Sequence, residues 1–424
     1  MKYRVLVFPC GSEIGLEIHK SINNSTHFDL IGLSSISDHG KFVYENYIEG
    51  ISYYNSDTFI NELIEIIKKE KIDILYPTMD TVITLIKKHE KYLNIPVVGS
   101  DVVTCGISEN KSKTYKLLDT LIKVPKVYNS LENLTFPLFV KPIVGYGSRG
   151  AYRVNSIDDL MGFNYESDLL LEYLPGEEYT IDCFTDIEGK LIFVGARERC
   201  RTMNGISVNT KTNNSLTNEF IPIAEKINSV IKFKGSWFFQ MKRNKSNEPV
   251  LLEVACRFAG SSSVHRAKGI NFALANLYLA LNKNVELIMN KFDVELDRAL
   301  ENKFKFDIHF ENVYIDFDDT IITNDYVNID AICFLYKCLN LNKKIILITK
   351  HEGDINTSLK KYNIPISIFS RIIHIKKTEE KRRFIEADHY KNSIFIDDSF
   401  EERKNIHNEL GIPVFNIDLL NSII

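Results

Sequence analysis

The sequence predicts a multidomain α/β protein: a doubly wound α/β unit first, an α+β unit in the middle, and a Rossmann-like α/β unit without a large cap at the end. Apolar strands and amphipathic helices alternate through the first hundred residues, the pattern of a sheet covered on both faces. A strand at 138–140 then delivers Lys141-Pro142 into a glycine-rich loop, and VYIDFDDTI (313–321) starts a fresh strand that ends on carboxylates. A chain of 424 residues also exceeds one ordinary core, since domains run to roughly 100–200 residues. The expected domains are 1–107, 108–300 and 311–424, with the charge-rich, irregular stretch 284–310 as the junction.

In the first domain, Arg4–Phe8 reads as a buried parallel strand, Pro9–Ser12 as a turn and Glu13–Ile22 as a helix. FDLIGLS (28–34) is a second strand, 58–72 an amphipathic helix, 73–78 a strand and 81–93 another helix. The spacing of Ile60, Leu63, Ile64, Ile66 and Ile67 suits a helix face packed on a sheet. Gly11-Ser12-Glu13-Ile14-Gly15 is not GxGxxG, and no acidic residue clearly ends the second strand, so a dinucleotide site is not expected.

Composition narrows the function classes. A hydrophobic fraction of 44% with 25% charged residues is that of a soluble globular protein, and a net charge of −4 supplies no basic field, so nucleic acid is not an expected partner. The seven scattered cysteines form no CxxC pair, which points to a reducing cytosol, hence a cytoplasmic protein, rather than to a disulfide framework or a zinc site. The N-terminal apolar run stops at Pro9 and no stretch approaches about 20 apolar residues, so neither a signal peptide nor a membrane span is expected.

The stretch FPLFVKPIVGYGSRG (136–150) carries the chemistry of the middle domain. A buried strand that delivers a lysine beside glycines places one fixed positive charge and several free backbone N–H groups around a polyphosphate. Upstream, 108–128 reads as a helix with Lys111 near its start that then feeds a Pro-marked turn; downstream come LLLEYLPGEEYTIDCF (169–184) and FFQMKRNKSNEPVLLEVACRFAGSSSVH (238–265). Together, in this order, these segments resemble the ATP-grasp superfamily over roughly residues 1–300. More narrowly they are similar to its carboxylate–amine ligase branch, related to carbamoyl-phosphate synthetase and biotin carboxylase. The first domain is then the pre-ATP-grasp domain.

The resemblance implies a role for each matching residue. Lys111 and Lys141 bracket the ATP phosphates, and the loop with Gly145, Gly147, Ser148 and Gly150 is a lid over them, to which Arg149 adds charge. Glu172, Tyr173 and Leu174 form the hinge that reads adenine, Glu178 holds the ribose hydroxyls, and Glu177 is its solvent-side neighbour. Glu253 holds Mg²⁺, with Mn²⁺ an acceptable substitute, and Gln240 is the second oxygen ligand. Ala255 stands where the family usually has Asn, and Cys256 where Pro is common, so the number of metal ions stays open. Arg257 matches the arginine that meets phosphate or the acyl phosphate. Arg197, Arg199 and Arg201 alternate on one strand face, either as a solvated edge or as an anion-binding wall with Arg199 and Arg201 near the acceptor. His265 is either a substrate-side residue or a helix start.

The last domain resembles the haloacid dehalogenase-like (HAD-like) phosphatases through Asp316-x-Asp318-x-Thr320, Thr349 at the end of IILIT, Lys381 opening a helix before the last strand, and Asp397-Asp398 closing SIFIDD. Carboxylates at strand ends converge at one edge of a parallel sheet and chelate Mg²⁺. By that resemblance Asp316 is the nucleophile, Asp318 the general acid/base and a further metal contact, and Thr349 with Lys381 the phosphate holders, Lys376 and Lys377 being rivals for the lysine. Asp397 or Asp398 completes the metal shell. About one helix, DAICFLYKCLN, separates Asp318 from Thr349, which leaves little room for a cap.

The implied protein is an ATP-dependent ligase that joins a small-molecule carboxylate to an amine through an acyl phosphate, fused to a phosphatase module; a homodimer is compatible with it. Alternatives are a phosphotransferase–phosphatase pair acting on one metabolite, or a nucleotide-binding regulator whose phosphatase domain is degenerate.

Overall fold

The computed structural model describes residues 2–145, 147 and 149–423. The chain divides into two compact units, Met1–Glu301 and Asn302–Ile424.

The first unit opens with the parallel strands β1 (Tyr3–Phe8), β2 (Phe28–Ser34), β3 (Asn46–Glu49) and β4 (Ile74–Pro77), ordered β3-β2-β1-β4. Helices α1 (Glu13–Ile22), α2 (Phe59–Lys69) and α3 (Asp80–Leu93) connect and cover them. The expected elements lie within a few residues of these bounds; β3 is additional, and its polar sequence NYIE gave no strand signal. Phe59, Leu63 and Ile67 of α2 are buried, while Ile60, Ile64 and Ile66 pack at the margin of the same core. Each fully buried side chain contributes about 1.5–3 kcal/mol. Because β1 and β4 are neighbours from which the chain winds in opposite directions, their C-terminal ends form a crevice of the kind that binds ligands in open α/β sheets.

Helices α4 (Val102–Glu109) and α5 (Lys111–Leu118) follow. The helix expected to run from Ser108 past Lys111 into a Pro-marked turn is corrected at its start: Asn110 ends α4 and caps α5 through its side chain, so Lys111 opens α5, which ends at Leu118 ahead of Pro125. A three-stranded sheet contains β5 (Leu138–Pro142) between β6 (Tyr152–Val154) and β7 (Asp168–Glu172). The large antiparallel sheet comprises β8 (Glu178–Thr185), β9 (Leu191–Met203), β10 (Ile206–Thr212), β11 (Gly235–Arg243), β12 (Pro249–Ala255) and β13 (Glu295–Asp297), ordered β12-β11-β8-β9-β10-β13. Helix α6 (Asn214–Val230) packs on it, and the short α7 (Ser263–Ala267) and α8 (Phe272–Ala280) follow β12. One apolar core joins Val5, Val7 and Tyr76 of the first sheet to Phe184, Phe193 and Phe272, so the 1–107 and 108–300 segments share buried surface rather than separating.

The second unit is a parallel sheet of β14 (Asn312–Ile315), β17 (Lys344–Thr349), β18 (Arg371–His374), β19 (Ser393–Ile396) and β20 (Val414–Phe415), ordered β18-β17-β14-β19-β20. After β14 come the hairpin β15 (Ile322–Thr323) and β16 (Tyr326–Val327) and one helix, α9 (Ile329–Asn340), which matches the short interval read from the sequence. Helices α10 (Ile355–Lys361) and α11 (Phe400–Leu410) complete the unit. Two expectations are corrected: Lys381 opens a single 3₁₀ turn rather than a longer helix, and the strand at 393–396 is followed by β20. Among the described residues, no helix is long and apolar enough to cross a membrane.

Candidate nucleotide cleft and carboxylate centre

A cleft in the first unit is lined by Lys111, Lys141, Gly145, Gly147, Glu172, Tyr173, Leu174, Glu178, Arg199, Gln240 and Glu253, with Arg149 at its loop side. Residues more than 140 positions apart therefore meet in one place, although Ser148 lies outside the described residues. The loop glycines Gly147 and Gly150 have φ of +59° and +74°, a region where a side chain is strained.

Lys141, near the end of β5, is buried and donates to the Leu252 carbonyl at 2.6 Å. The Tyr115 hydroxyl donates to the same carbonyl at 2.6 Å. That acceptor exists because the β11–β12 register slips after Gln240: Gln240 pairs with Glu253 but Met241 with Leu251, leaving Leu252 as the extra residue. Burial pushes the Lys141 ammonium down to about 7, with Glu253 opposing the shift and Lys111 adding to it. Lys111 donates its own ammonium to the Gly145 carbonyl at 3.1 Å, at the base of the loop. Such cations, desolvated and close together, are poised for a polyanion.

The hinge is partly committed. Glu172 is the register partner of Leu138 across β7 and β5, its amide donates to the Lys126 carbonyl at 3.0 Å, and its carboxylate accepts from the Lys126 amide at 2.9 Å. The Tyr173 ring carries the Arg153 guanidinium at 4.5 Å. Glu178 faces Arg199 Nε at 2.7 Å, an ion pair out of hydrogen-bond alignment, and accepts from Lys242 at 3.4 Å. Lys242, which also lines the cleft, had no signal in the sequence beyond its alternation with Gln240.

The sheet floor continues away from the cleft. Gln240, Thr180 and Arg197 are successive register partners, and Phe238, Asp182 and Gly195 form the next row. Arg197 is fully buried and donates to Asp182 at 2.7 Å and to Ser261 at 2.9 Å, while His265 Nε2 lies 3.1 Å from the same Asp182 oxygen. Burial alone would raise the Asp182 carboxyl, but Arg197 and His265 together hold it below the usual range. The His265 ring occupies the space a Cβ at Gly195 would take, 2.6 Å from its Cε1. This corrects the arginine wall. Arg197 is an internal strut, Arg201 pairs with Asp297 at 2.8 Å on the exposed edge, and only Arg199 faces the cleft. His265 belongs to that strut, inside α7.

Arg257 does not line the cleft described above; it donates to Asp80 at 3.0 and 2.7 Å. Burial would lower its pKa, but Asp80 more than offsets this and raises it. Asp80 starts α3 just past β4, so the pair stands at the crevice between the β1 and β4 ends. Sequence reasoning missed Asp80, whose only signal was an acidic residue after a strand. Ala255 packs with Phe238 and Ala259 in a small apolar cluster, so no side-chain oxygen occupies that place.

In the second unit, strand ends bring Asp316, Asp397 and Asp398 together, with ligand oxygens within 4.8 Å of one another. Lys381 lies 2.6 Å from Asp316 and 2.7 Å from Asp397. Of the rival lysines, Lys377 pairs with Glu352 and Lys376 is exposed. Burial pushes the Asp316 carboxyl up to about 7 and that of Asp397 upward, with Lys381 opposing both. One ammonium among three carboxylates leaves negative charge that a hard divalent cation fits. Thr349 is fully buried, and Thr320 bridges to Asp398, accepting its amide at 3.1 Å. Asp318 stands apart from the trio and contacts His351 at 2.8 Å.

Comparison with known proteins bears on the fold of the first unit. Residues 164–299 match a family model described as ATP-grasp in the biosynthetic pathway with Ter operon. A D-alanine–D-alanine ligase of Bacillus anthracis is 30% identical over 159 residues, which cover 31% of this chain and 52% of that protein. The chain thus spans about half the length of the curated relatives it matches. Among solved structures, the biotin carboxylase domain of Hydrogenobacter thermophilus 2-oxoglutarate carboxylase, in complex with MgADP and bicarbonate, superposes with a TM-score of 0.58 at 12% identity, covering 70% of this chain and 74% of that one. An L-amino acid ligase from Bacillus licheniformis gives a TM-score of 0.54 at 17% identity, covering 68% and 75%. The first unit carries a domain of the ATP-grasp fold.

Proposed function

We propose that the protein is an ATP-dependent carboxylate–amine ligase whose second unit is a HAD-like, Mg²⁺-dependent phosphohydrolase, organised as 1–107, 108–300 and 311–424. The observation that carries the ligase reading is the convergence of two buried lysines, the hinge, Glu178 and the Gln240–Glu253 pair on one cleft. The fold likeness to a ligase and a carboxylase supports it.

In this reading the hinge backbone at Tyr173–Leu174 reads adenine, Glu178 turns from Arg199 to the ribose hydroxyls, and Lys111 and Lys141 hold the phosphates under the glycine loop. Gln240 and Glu253 would hold Mg²⁺, which supplies charge neutralisation on the transferring phosphoryl group. With Ala255 apolar, these two oxygens suit one ion better than two. The acceptor carboxylate enters the crevice beside Arg257, which exchanges Asp80 for the anion. A carboxylate oxygen attacks the γ-phosphorus and ADP leaves; the amine nitrogen then attacks the acyl carbon, expelling phosphate and losing a proton as the amide forms.

In the second unit Asp316 would attack a phosphoryl group to form an aspartyl phosphate, Asp318 would protonate the leaving oxygen and later deprotonate water, and Thr349 and Lys381 would steady the phosphate oxygens. Asp316, Asp397 and Asp398, with the Asp318 backbone, would hold Mg²⁺, which supplies charge neutralisation there.

The test is ADP release measured against panels of small carboxylates and amines. Release that requires both supports ligation, whereas ATP hydrolysis indifferent to every acceptor contradicts it. A stable phosphorylated metabolite that accumulates only in Asp316→Asn protein would instead favour a kinase–phosphatase pair.

A further inference from the structure

His351 follows Thr349 by two residues and belongs to none of the positions that the phosphohydrolase reading uses, yet it is among the most tightly held side chains near the second site. Its Nδ1 lies 2.8 and 3.0 Å from the two Asp318 carboxylate oxygens. Its Nε2 lies 2.7 Å from Ser358 Oγ on α10, and its ring meets Phe317 edge-on at 5.1 Å. The backbone is fixed too: the His351 amide donates to Thr349 Oγ1 at 3.2 Å, and its carbonyl accepts from His374 Nε2 at 2.8 Å.

A carboxylate only accepts, so Nδ1 carries a proton toward Asp318, and in the neutral tautomer with that proton Nε2 accepts the Ser358 hydroxyl. The order Ser–His–Asp is that of a hydrolase triad, but exposure runs the opposite way. The Asp318 side chain is 49% exposed and that of His351 15%, so the member that can meet a substrate is the carboxylate, and the serine is the inner anchor. An aspartate this exposed has several rotamers open to it; one donor spanning both oxygens, braced by an aromatic edge and a helix hydroxyl, leaves one.

We propose that His351 is a positioning residue that fixes the Asp318 carboxyl group for proton transfer, in which Asp318 takes a proton from water, passes it to the leaving oxygen and returns to the carboxylate that accepts from Nδ1, with Ser358 setting the His351 tautomer. The inference rests on the phosphohydrolase reading of the second unit. Misplacing a proton donor by about 1 Å costs on the order of 10²-fold, and the loss grows with the basicity of the leaving oxygen.

The experiment compares wild type, His351→Phe, His351→Asn, Ser358→Ala and Asp316→Asn in the full chain with Mg²⁺, using glycerol 2-phosphate and p-nitrophenyl phosphate. His351→Phe keeps an aromatic ring without a donor, and His351→Asn keeps an N–H where Nδ1 stood. We expect kcat/KM of the Phe variant to fall about 30-fold or more on the alkyl phosphate and less than about 5-fold on the aryl phosphate, whose leaving group needs little protonation. The Asn variant should recover most of the loss, and Ser358→Ala should lose only about 2- to 5-fold. Equal losses on both substrates, a Phe variant as fast as wild type, or Asn no better than Phe would each overturn the assignment while leaving the phosphohydrolase in place. Wild type no faster than Asp316→Asn on either substrate would remove the reading and the inference with it.

Discussion

The two sites invert each other's charge. In the first unit, Lys111, Lys141, Arg149, Arg199 and Lys242 outnumber Glu172, Glu178 and Glu253 along the cleft, and burial pushes Lys141 down to about 7. In the second, three carboxylates cluster and only two of them, Asp316 and Asp397, meet Lys381, while burial pushes Asp316 up to about 7. A buried group whose charged form is disfavoured marks what is missing: an anion in the first case, a cation in the second. The Arg197–Asp182–His265 strut, also buried, is the contrasting case, because its main charges are already matched within the protein.

Three perturbations press on this contrast. Removing the proposed carboxylate nucleophile should have the largest effect: Asp316→Asn should lower phosphate-ester hydrolysis by about 10⁴-fold or more and leave nucleotide-dependent ADP release intact, as read by phosphate and ADP assays. Lys141→Ala comes next, lowering ADP release by about 10²–10³-fold with ester hydrolysis retained. The strut should respond differently again. Asp182→Ala strands the buried Arg197 charge and should cost about 3–5 kcal/mol of stability, read as a lower Tm or denaturation midpoint.

The smallest effect tests the Lys141 shift itself. Phosphates bind the protonated lysine, so below pH 7 the cation is already present, and above it a proton must be taken up with the nucleotide. Nucleotide affinity should therefore weaken by up to about 10-fold per pH unit as pH rises above about 7 and level off below. Titration calorimetry at pH 8 in two buffers of different ionisation enthalpy should show the uptake, and a pH-independent affinity from 6 to 9 would refute the shift.

Much of this was legible in the sequence, for reasons that differ between the sites. Asp316, Asp397 and Thr349 sit at or just beyond strand ends, and parallel strands in one sheet necessarily bring those ends to one edge. Lys111, Lys141, Glu178 and Glu253 are far apart in the chain, and only their order around a glycine loop pointed to one cleft. What could not be read depended on register or on the partner across a gap. The Leu252 carbonyl turns inward because of a one-residue slip in pairing, to which the run VLLEVA gives no clue. Simple alternation puts Arg197, Arg199 and Arg201 on one face, but a register irregularity pairs Glu198 with Lys211 and Arg201 with Asn209, so Arg201 leaves the Arg197 face, and alternation cannot say which carboxylate meets each. Asp80 became visible only when Arg257 was placed 2.7 Å away.

The central claim is that an anion-seeking cleft and a cation-seeking centre run separate reactions in one chain. The most direct measurement is a crossed assay, in which acceptor-dependent ADP release and Mg²⁺-dependent phosphate-ester hydrolysis are both followed in Lys141→Ala and Asp316→Asn proteins with wild-type Tm. Each variant should lose its own activity and keep the other. Loss of both activities in both folded variants would contradict the account.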